Sequence, residues 1–188
     1  MKTMKFLAML MMGAVMSFGL TACGDDDDDN GGGGSRGGTS VTVNGTTFSV
    51  SNAYWHIDTT NENDTFYELA LMNCTLPNVK DPWVSISILY HVTGGSTTQM
   101  ASGEFDDYQV SLGYVSSDDS KDRAYVAFGK YDGNSGKLKV SVSGSNVTVE
   151  VPALKYTDGL SSSSATYSGG AFSFSGSMSQ IPSSFLSK

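Results

Sequence analysis

The chain has 188 residues, 39% of them apolar, and a formal charge of −8 at pH 7. That length holds one domain with appendages, and residues 39–188 carry 14 Asp and Glu against 8 Lys and Arg. With no basic patch to release counterions from phosphates, nucleic acid is excluded as a partner.

Lys2 and Lys5 lead into a run of apolar and small residues from Phe6 to Leu20, interrupted only by Ser17. The run, about 15 residues, is short against the ~20 that a membrane-spanning helix needs. A basic start, a short apolar middle and small residues before a break make a secretory signal. The run exits through Leu20-Thr21-Ala22-Cys23. An aliphatic residue, two small ones and a cysteine resemble the lipobox of bacterial lipoproteins. The resemblance implies a signal peptide of residues 1–22, cleavage before Cys23, and a diacylglycerol with palmitate-type chains on Cys23 that anchors the protein in a membrane. Each buried CH₂ contributes about 0.8 kcal/mol, so two or three chains hold where one does not.

Asp25, Asp26, Asp27, Asp28 and Asp29 follow. An EF-hand loop needs Gly at its sixth position and Glu at its twelfth. Begun at Asp25, the sixth residue is Asn30; begun at Asp27, the twelfth is Gly38. No metal site is expected there. An acidic cluster two residues after the lipidated cysteine resembles the surface-export signal of Bacteroidota-type lipoproteins, and implies an outer-membrane protein that faces the exterior. Residues 23–38 read as a tether: like charges extend it, and its seven glycines give a flexible reach of about 20 Å.

From residue 39 to residue 188 alternation of period two dominates. Asn44-Gly45 lies between two alternating runs, a strong hairpin signal, and places Val41, Val43, Thr46, Phe48 and Val50 on one face. Residues 53–58 follow as a strand, with Trp55 on the face of Ala53 and Ile57. Residues 66–74 are apolar on both faces and suit a central strand. In residues 84–92, Val84, Ile86, Ile88, Tyr90 and Val92 point one way while Ser85, Ser87, Leu89 and His91 point the other. Strands are expected at 108–114, 124–131, 137–142 and 147–151, with a last pair around 165–168 and 171–175 hinged on Gly169-Gly170. The spacing predicts an all-β chain, an antiparallel β-sandwich of about ten short strands.

No nucleophile elbow, zinc-protease helix or phosphate loop occurs. Cys74, the only cysteine of the domain, reads as a buried thiol. His56 and His91 lie on the more polar faces of their strands; two such residues on adjacent strands could hold a metal or haem iron, but no third ligand is signalled, and solvated or hydrogen-bonded side chains are the better account. Glu104, Asp106, Asp107, Asp118 and Asp119 are loop acids that suit a calcium ligand set better than a glycosidase pair. Trp83 and Tyr108 are the candidate aromatics for stacking on a ligand, with Trp83 expected at a strand rim and Trp55 in the core. Asp58-Thr59-Thr60 resembles the short O-glycosylation motif of Bacteroidota-type secreted proteins, which implies Thr59 as acceptor. The expectation is a non-enzymatic exterior binding module without a cofactor, its ligand a glycan or host polymer. A structural or accessory subunit of a surface complex or adhesin is the alternative, and a small hydrolase the third reading.

Overall fold

Asn44 and Gly45 have φ of 50° and 75°, the left-handed pair that a two-residue type I′ turn requires. The computed structural model describes residues 38–58, 64–76, 78, 81–131, 133–161 and 164–182; Cys23, Asp25–Asp29 and Thr59 lie outside them. The turn joins β1 (Thr39–Val43) to β2 (Thr46–Val50), with Val43 opposite Thr46. Val41, Val43, Phe48 and Val50 are buried, on the face that alternation assigns them.

The chain continues through β3 (Asn52–Asp58), β4 (Asp64–Met72), β5 (Trp83–Thr93), β6 (Gly103–Phe105), β7 (Tyr108–Val115) and β8 (Arg123–Phe128). It ends with β9 (Leu138–Ser143), β10 (Asn146–Val151), β11 (Leu154–Asp158), β12 (Thr166–Gly169) and β13 (Phe172–Gln180). A single 3-10 turn at Asp119–Lys121 is capped by the Asp118 side chain, which accepts from the Ser120 N–H. Among the described residues no helix is long and apolar enough to cross a membrane.

The all-β sandwich therefore stands, with thirteen strands among the described residues in place of about ten. The two that alternation missed are β6, of three residues, and β11, of five. The strands hydrogen-bond in the order β2-β1-β12-β11-β8-β7-β5-β4-β3-β13-β10-β9-β6. β13 changes layers partway along: Phe172–Ser177 pairs antiparallel with β10, and Met178–Gln180 pairs parallel with β3. One layer is built on β3, β4, β5, β7 and β8; the β1–β2 hairpin and the β13–β10–β9–β6 sheet cover it.

The expected hairpin at Gly169-Gly170 does not form. β12 pairs with β1 and β11, and β13 pairs with β10 and β3. Gly169 serves close packing instead: a Cβ there would sit 2.6 Å from the Tyr156 ring and 2.9 Å from Val43. The strand expected over 124–131 stops at Phe128, and the chain turns at Gly129, where a Cβ would meet the Tyr108 ring.

Between the layers lie Leu69 and Leu71 of β4, Ile86 and Ile88 of β5, and Val110 and Leu112 of β7, with Phe48, Val149 and Phe174 from the cover. Burying each such side chain contributes about 1.5–3 kcal/mol. Three tyrosines in this core satisfy their hydroxyls by donating to backbone carbonyls: Tyr67 to Ser96 at 2.8 Å, Tyr90 to Ala101 at 2.8 Å, and Tyr108 to Gly136 at 2.9 Å.

Candidate functional site

The chemistry of interest lies on the other side of the same layer. A strand residue facing away from a sandwich core ordinarily meets water. Register places His56 of β3 opposite Glu68 of β4, Glu68 opposite Leu89 of β5, Leu89 opposite Gln109 of β7, and Gln109 opposite Phe128 of β8. The next row on this outward face is Tyr54, Ala70, Ser87, Ser111 and Val126. Yet Glu68 is 4% exposed, Leu89 3%, Gln109 2% and Ser111 5%.

Two groups of side chains flank this row. On one side the β4–β5 connection folds back over the layer. The Leu76 N–H donates to the Tyr54 hydroxyl at 2.9 Å, and Asn73 Oδ1 accepts from the Val84 N–H at 2.8 Å. Beneath that connection Tyr54, Ala70, Met72, Cys74, Trp83 and Ile181 form a second apolar cluster, of the satellite kind found under long loops. On the other side the Phe66 and His91 rings lie 5.5 Å apart at 37°. His56, Phe66, Ser85, Ser87 and His91 are half-buried, so the face meets solvent at its rim.

Leu89 thus sits inside a ring of polar groups. Ser87 donates to Glu68 Oε1 at 2.7 Å, and Gln109 Nε2 donates to Ser111 Oγ at 2.9 Å. Gln109 Oε1 and His91 Nδ1 are buried without a hydrogen-bond partner among the described residues. A buried polar atom left unmatched is rare in folded proteins and costs about 1–3 kcal/mol. Burial pushes the Glu68 carboxyl up to about 7; the bond from Ser87 opposes that shift and the Asp58 charge adds to it. Burial also lowers the His56 imidazole, with Asp58 opposing. Both groups are driven toward their uncharged forms. β3, β4, β5 and β7 contain no Lys or Arg, so nothing on them would hold an anion. The face offers neutral hydrogen-bonding groups beside aromatic rings.

Sequence reasoning nominated other aromatics. Trp83 is 2% exposed and Tyr108 1%, so neither ring is presented for stacking. Trp83 enters β5 under the folded-back connection rather than at a rim, and Tyr108 points between the layers. Trp55 packs on the main core as expected, and Cys74 is buried in the second cluster. His56 and His91 share the outward face, but β4 lies between their strands: His56 opposes Glu68 and His91 opposes Phe66. Among the described residues no group of three or more His, Cys, Asp or Glu is placed to hold a metal. Glu104 faces Lys137 at 3.7 Å and Lys139 at 3.9 Å, and Asp118 faces Lys121 at 3.3 Å.

Glu68, Ser87, Gln109, Ser111 and Phe66 escaped the sequence search. One signal was readable: Glu68 is the single charge inside a strand otherwise apolar on both faces from Phe66 to Met72.

A family model described as IPT/TIG domain, an immunoglobulin-like β-sandwich, matches residues 32–103. Domains of that kind are generally non-catalytic. The matched stretch includes β1 to β5, whose partner strands β7, β12 and β13 lie beyond it. No curated protein and no solved structure matches the chain.

Proposed function

We propose that this chain is a non-catalytic binding module, lipid-anchored in the outer membrane through Cys23 and turned to the exterior, with its ligand meeting the half-buried rim of the outward face at His56, Phe66 and His91. The observation that carries the reading is the polar ring around Leu89, buried where a sandwich strand should meet water, with two polar atoms unmatched. The similarity to IPT/TIG domains supports it, because such domains are often involved in binding or adhesion.

Catalysis at this face lacks a necessary part. Ser87 and Glu68 resemble a nucleophile and its base, but Ser87 sits mid-strand between β4 and β7. The backbone N–H groups around it are committed to the ladders, so no pair converges on a developing oxyanion. An apolar docking surface has little to work with among the described residues, whose large exposed apolar side chains are Tyr131 and Leu160. They follow opposite ends of β8 and β11, since Asp158 pairs with Tyr125.

The binding claim is tested by passing the detergent-purified full chain over glycan and peptide arrays. Binding that Phe66→Ala removes is expected; no binding on either array, or binding indifferent to that variant, sinks it. The anchor is tested by palmitate labelling, which Cys23→Ser should abolish along with membrane partitioning. Export is tested by external protease: deletion of Asp25–Asp29 should protect the domain, and undiminished cleavage would refute the address.

A further inference from the structure

The two ends of a strand order each expose a row of backbone N–H and C=O groups, and folds ordinarily guard such edges with short strands, charges or prolines. This sandwich guards one of its two. At one end β6 is three residues long, its Glu104 faces Lys137 and Lys139, and Asp106 and Asp107 follow it. At the other end β2 runs Thr46-Thr47-Phe48-Ser49-Val50, with no charge and no proline, and among the described residues β1 is its one neighbour. The absence of charge extends past the strand: no Asp, Glu, Lys or Arg occurs from Gly37 to Ile57, in a chain of net charge −8.

Register sets what that edge presents. Val43 and Thr46 close the two-residue turn as a hydrogen-bonded pair, and such pairs alternate along an antiparallel ladder. Phe48 and Val50 therefore bond to Val41 and Thr39, while the N–H and C=O groups of Thr47 and Ser49 point away from β1. Both residues are exposed. The edge is also held in place. The Thr42 and Thr47 hydroxyls share a bond at 3.0 Å, Asn44 Nδ2 donates to the Tyr125 hydroxyl at 3.2 Å, and the Ser51 N–H donates to the Met72 carbonyl at 2.9 Å. A strand fixed at both ends loses little freedom when another joins it.

We infer that this edge pairs with the same edge of a second copy of the chain, antiparallel about a two-fold axis at Phe48, so that Thr47 of each copy bonds to Ser49 of the other. The set matches itself, as an isologous contact requires: two donors and two acceptors on each edge make four hydrogen bonds. Thr47 then lies beside Ser49, the hydroxyl pairing that Thr148 and Ser175 already make at 2.9 Å on an exposed face. Repulsion between two acidic chains opposes their association elsewhere, and this hairpin is where it is least. A foreign strand is recognised through pockets for its alternate side chains, and the outward positions here are only Thr47 and Ser49. Four bonds, set against the freedom that two molecules lose, make a weak contact with a Kd on the order of 1 mM. The inference stands on the hairpin and is independent of the ligand face and of the lipid anchor.

Cysteine pairing reads the register. In this pairing Thr47 stands about 5.5 Å from Ser49 of the other copy, within disulfide reach, whereas the two Thr47 residues are more than about 7 Å apart, beyond it. Full-length Thr47→Cys and Ser49→Cys chains, mixed in detergent at about 1 mM and oxidised with copper phenanthroline, should cross-link to each other. The mixture should give at least ~3 times the dimer of either variant alone. The native chain, with Cys23 and Cys74, sets the background. In sedimentation the native chain should associate over the same concentration range. Thr47→Lys, which charges the joint, should weaken that association about tenfold, and Glu104→Gln on the guarded edge should leave it unchanged. Both substituted positions of β2 are exposed, and circular dichroism establishes that each variant is folded. Equal cross-linking in the mixture and in the single variants, or association that ignores Thr47→Lys, overturns the pairing. A chain that stays monomeric at about 1 mM overturns it too. Should an added Thr-Val repeat peptide then protect the Thr47 and Ser49 amides from hydrogen exchange, the edge takes a foreign strand instead of a second copy.

Discussion

Two outward faces of this sandwich obey the same alternation and meet opposite fates. On β9, β10 and β13 the outward residues Lys139, Ser141, Ser143, Glu150, Ser173, Ser175 and Ser177 are exposed. Thr148 and Ser175 share a hydrogen bond at 2.9 Å across the open surface. On β4, β5 and β7 the outward residues Glu68, Ala70, Leu89, Gln109 and Ser111 are buried. Strand parity decides which way a side chain points; what folds across it decides whether it meets water. The first face is a solvated surface, and the second is a small interior with polar groups in it.

The largest test of that distinction is Trp83→Ala. Trp83 points outward by parity but packs with Tyr54, Met72 and Ile181 under the β4–β5 connection. Removing a buried indole costs about 3–5 kcal/mol, so the urea midpoint should fall steeply. A loss below about 0.5 kcal/mol, as expected of a surface residue, would show that this face is no interior at all.

Glu68→Gln comes next, and its effect depends on pH. Glu68 has a folded pKa of about 7 against an ordinary value of 4.5. An acid with a raised folded pKa is held protonated by the fold, so it carries no penalty below about pH 4.5. The penalty grows as pH rises toward about 7 and is complete above it. The amide keeps an acceptor for Ser87 and cannot ionise. The variant should match the parent at about pH 4 and exceed it by roughly 2–3 kcal/mol at about pH 8. Parallel stability–pH curves for the two proteins would mean that Glu68 is solvated in the fold.

Gln109→Leu should be far milder. The substitution removes an unmatched buried oxygen together with the bond to Ser111, and replacing a poorly matched buried amide by an apolar group of similar size changes stability by less than about 1 kcal/mol. Thermal unfolding checks this. A loss of several kcal/mol would mean that the amide is fully matched in the native protein and is a structural element of the row.

What the residues announced in advance follows the same division. The Asn44-Gly45 turn was legible because its backbone angles demand those two residue types. The inward set of β5 was legible because Ile86, Ile88 and Tyr90 recur at the strand period. Burial at the Tyr54 end of the outward face was not, since Leu76 reaches Tyr54 from 22 residues away and no local pattern encodes that contact. Trp83 misled for this reason: next to Pro82 it looks like a rim residue, and only the folded-back connection encloses it. The Gly169-Gly170 pair misled because glycine serves both tight turns and close packing, and here Tyr156 and Val43 press on Gly169. The polar ring was half visible. Glu68 stood out within an apolar strand, but its partners Ser87, Gln109 and Ser111 look like any polar half of an alternating strand until register brings them together.

The smallest predicted effect belongs to the open face. Lys139 Nζ lies 3.9 Å from both Glu104 Oε1 and Glu150 Oε2, with side-chain exposures of 53–60% for the three. Water screens such charges, and holding three long side chains in one arrangement offsets most of their attraction. Lys139→Gln should therefore shift stability by less than about 0.5 kcal/mol. The shift should shrink further as salt shortens the Debye length below about 10 Å. One charge removed from the open face would then matter several times less than one carboxyl neutralised on the covered face. That ratio follows from burial, because both sites point outward from paired strands. A loss above about 1 kcal/mol that resists salt would place the Lys139 cluster in a shielded environment too, and the contrast between the two faces would fail.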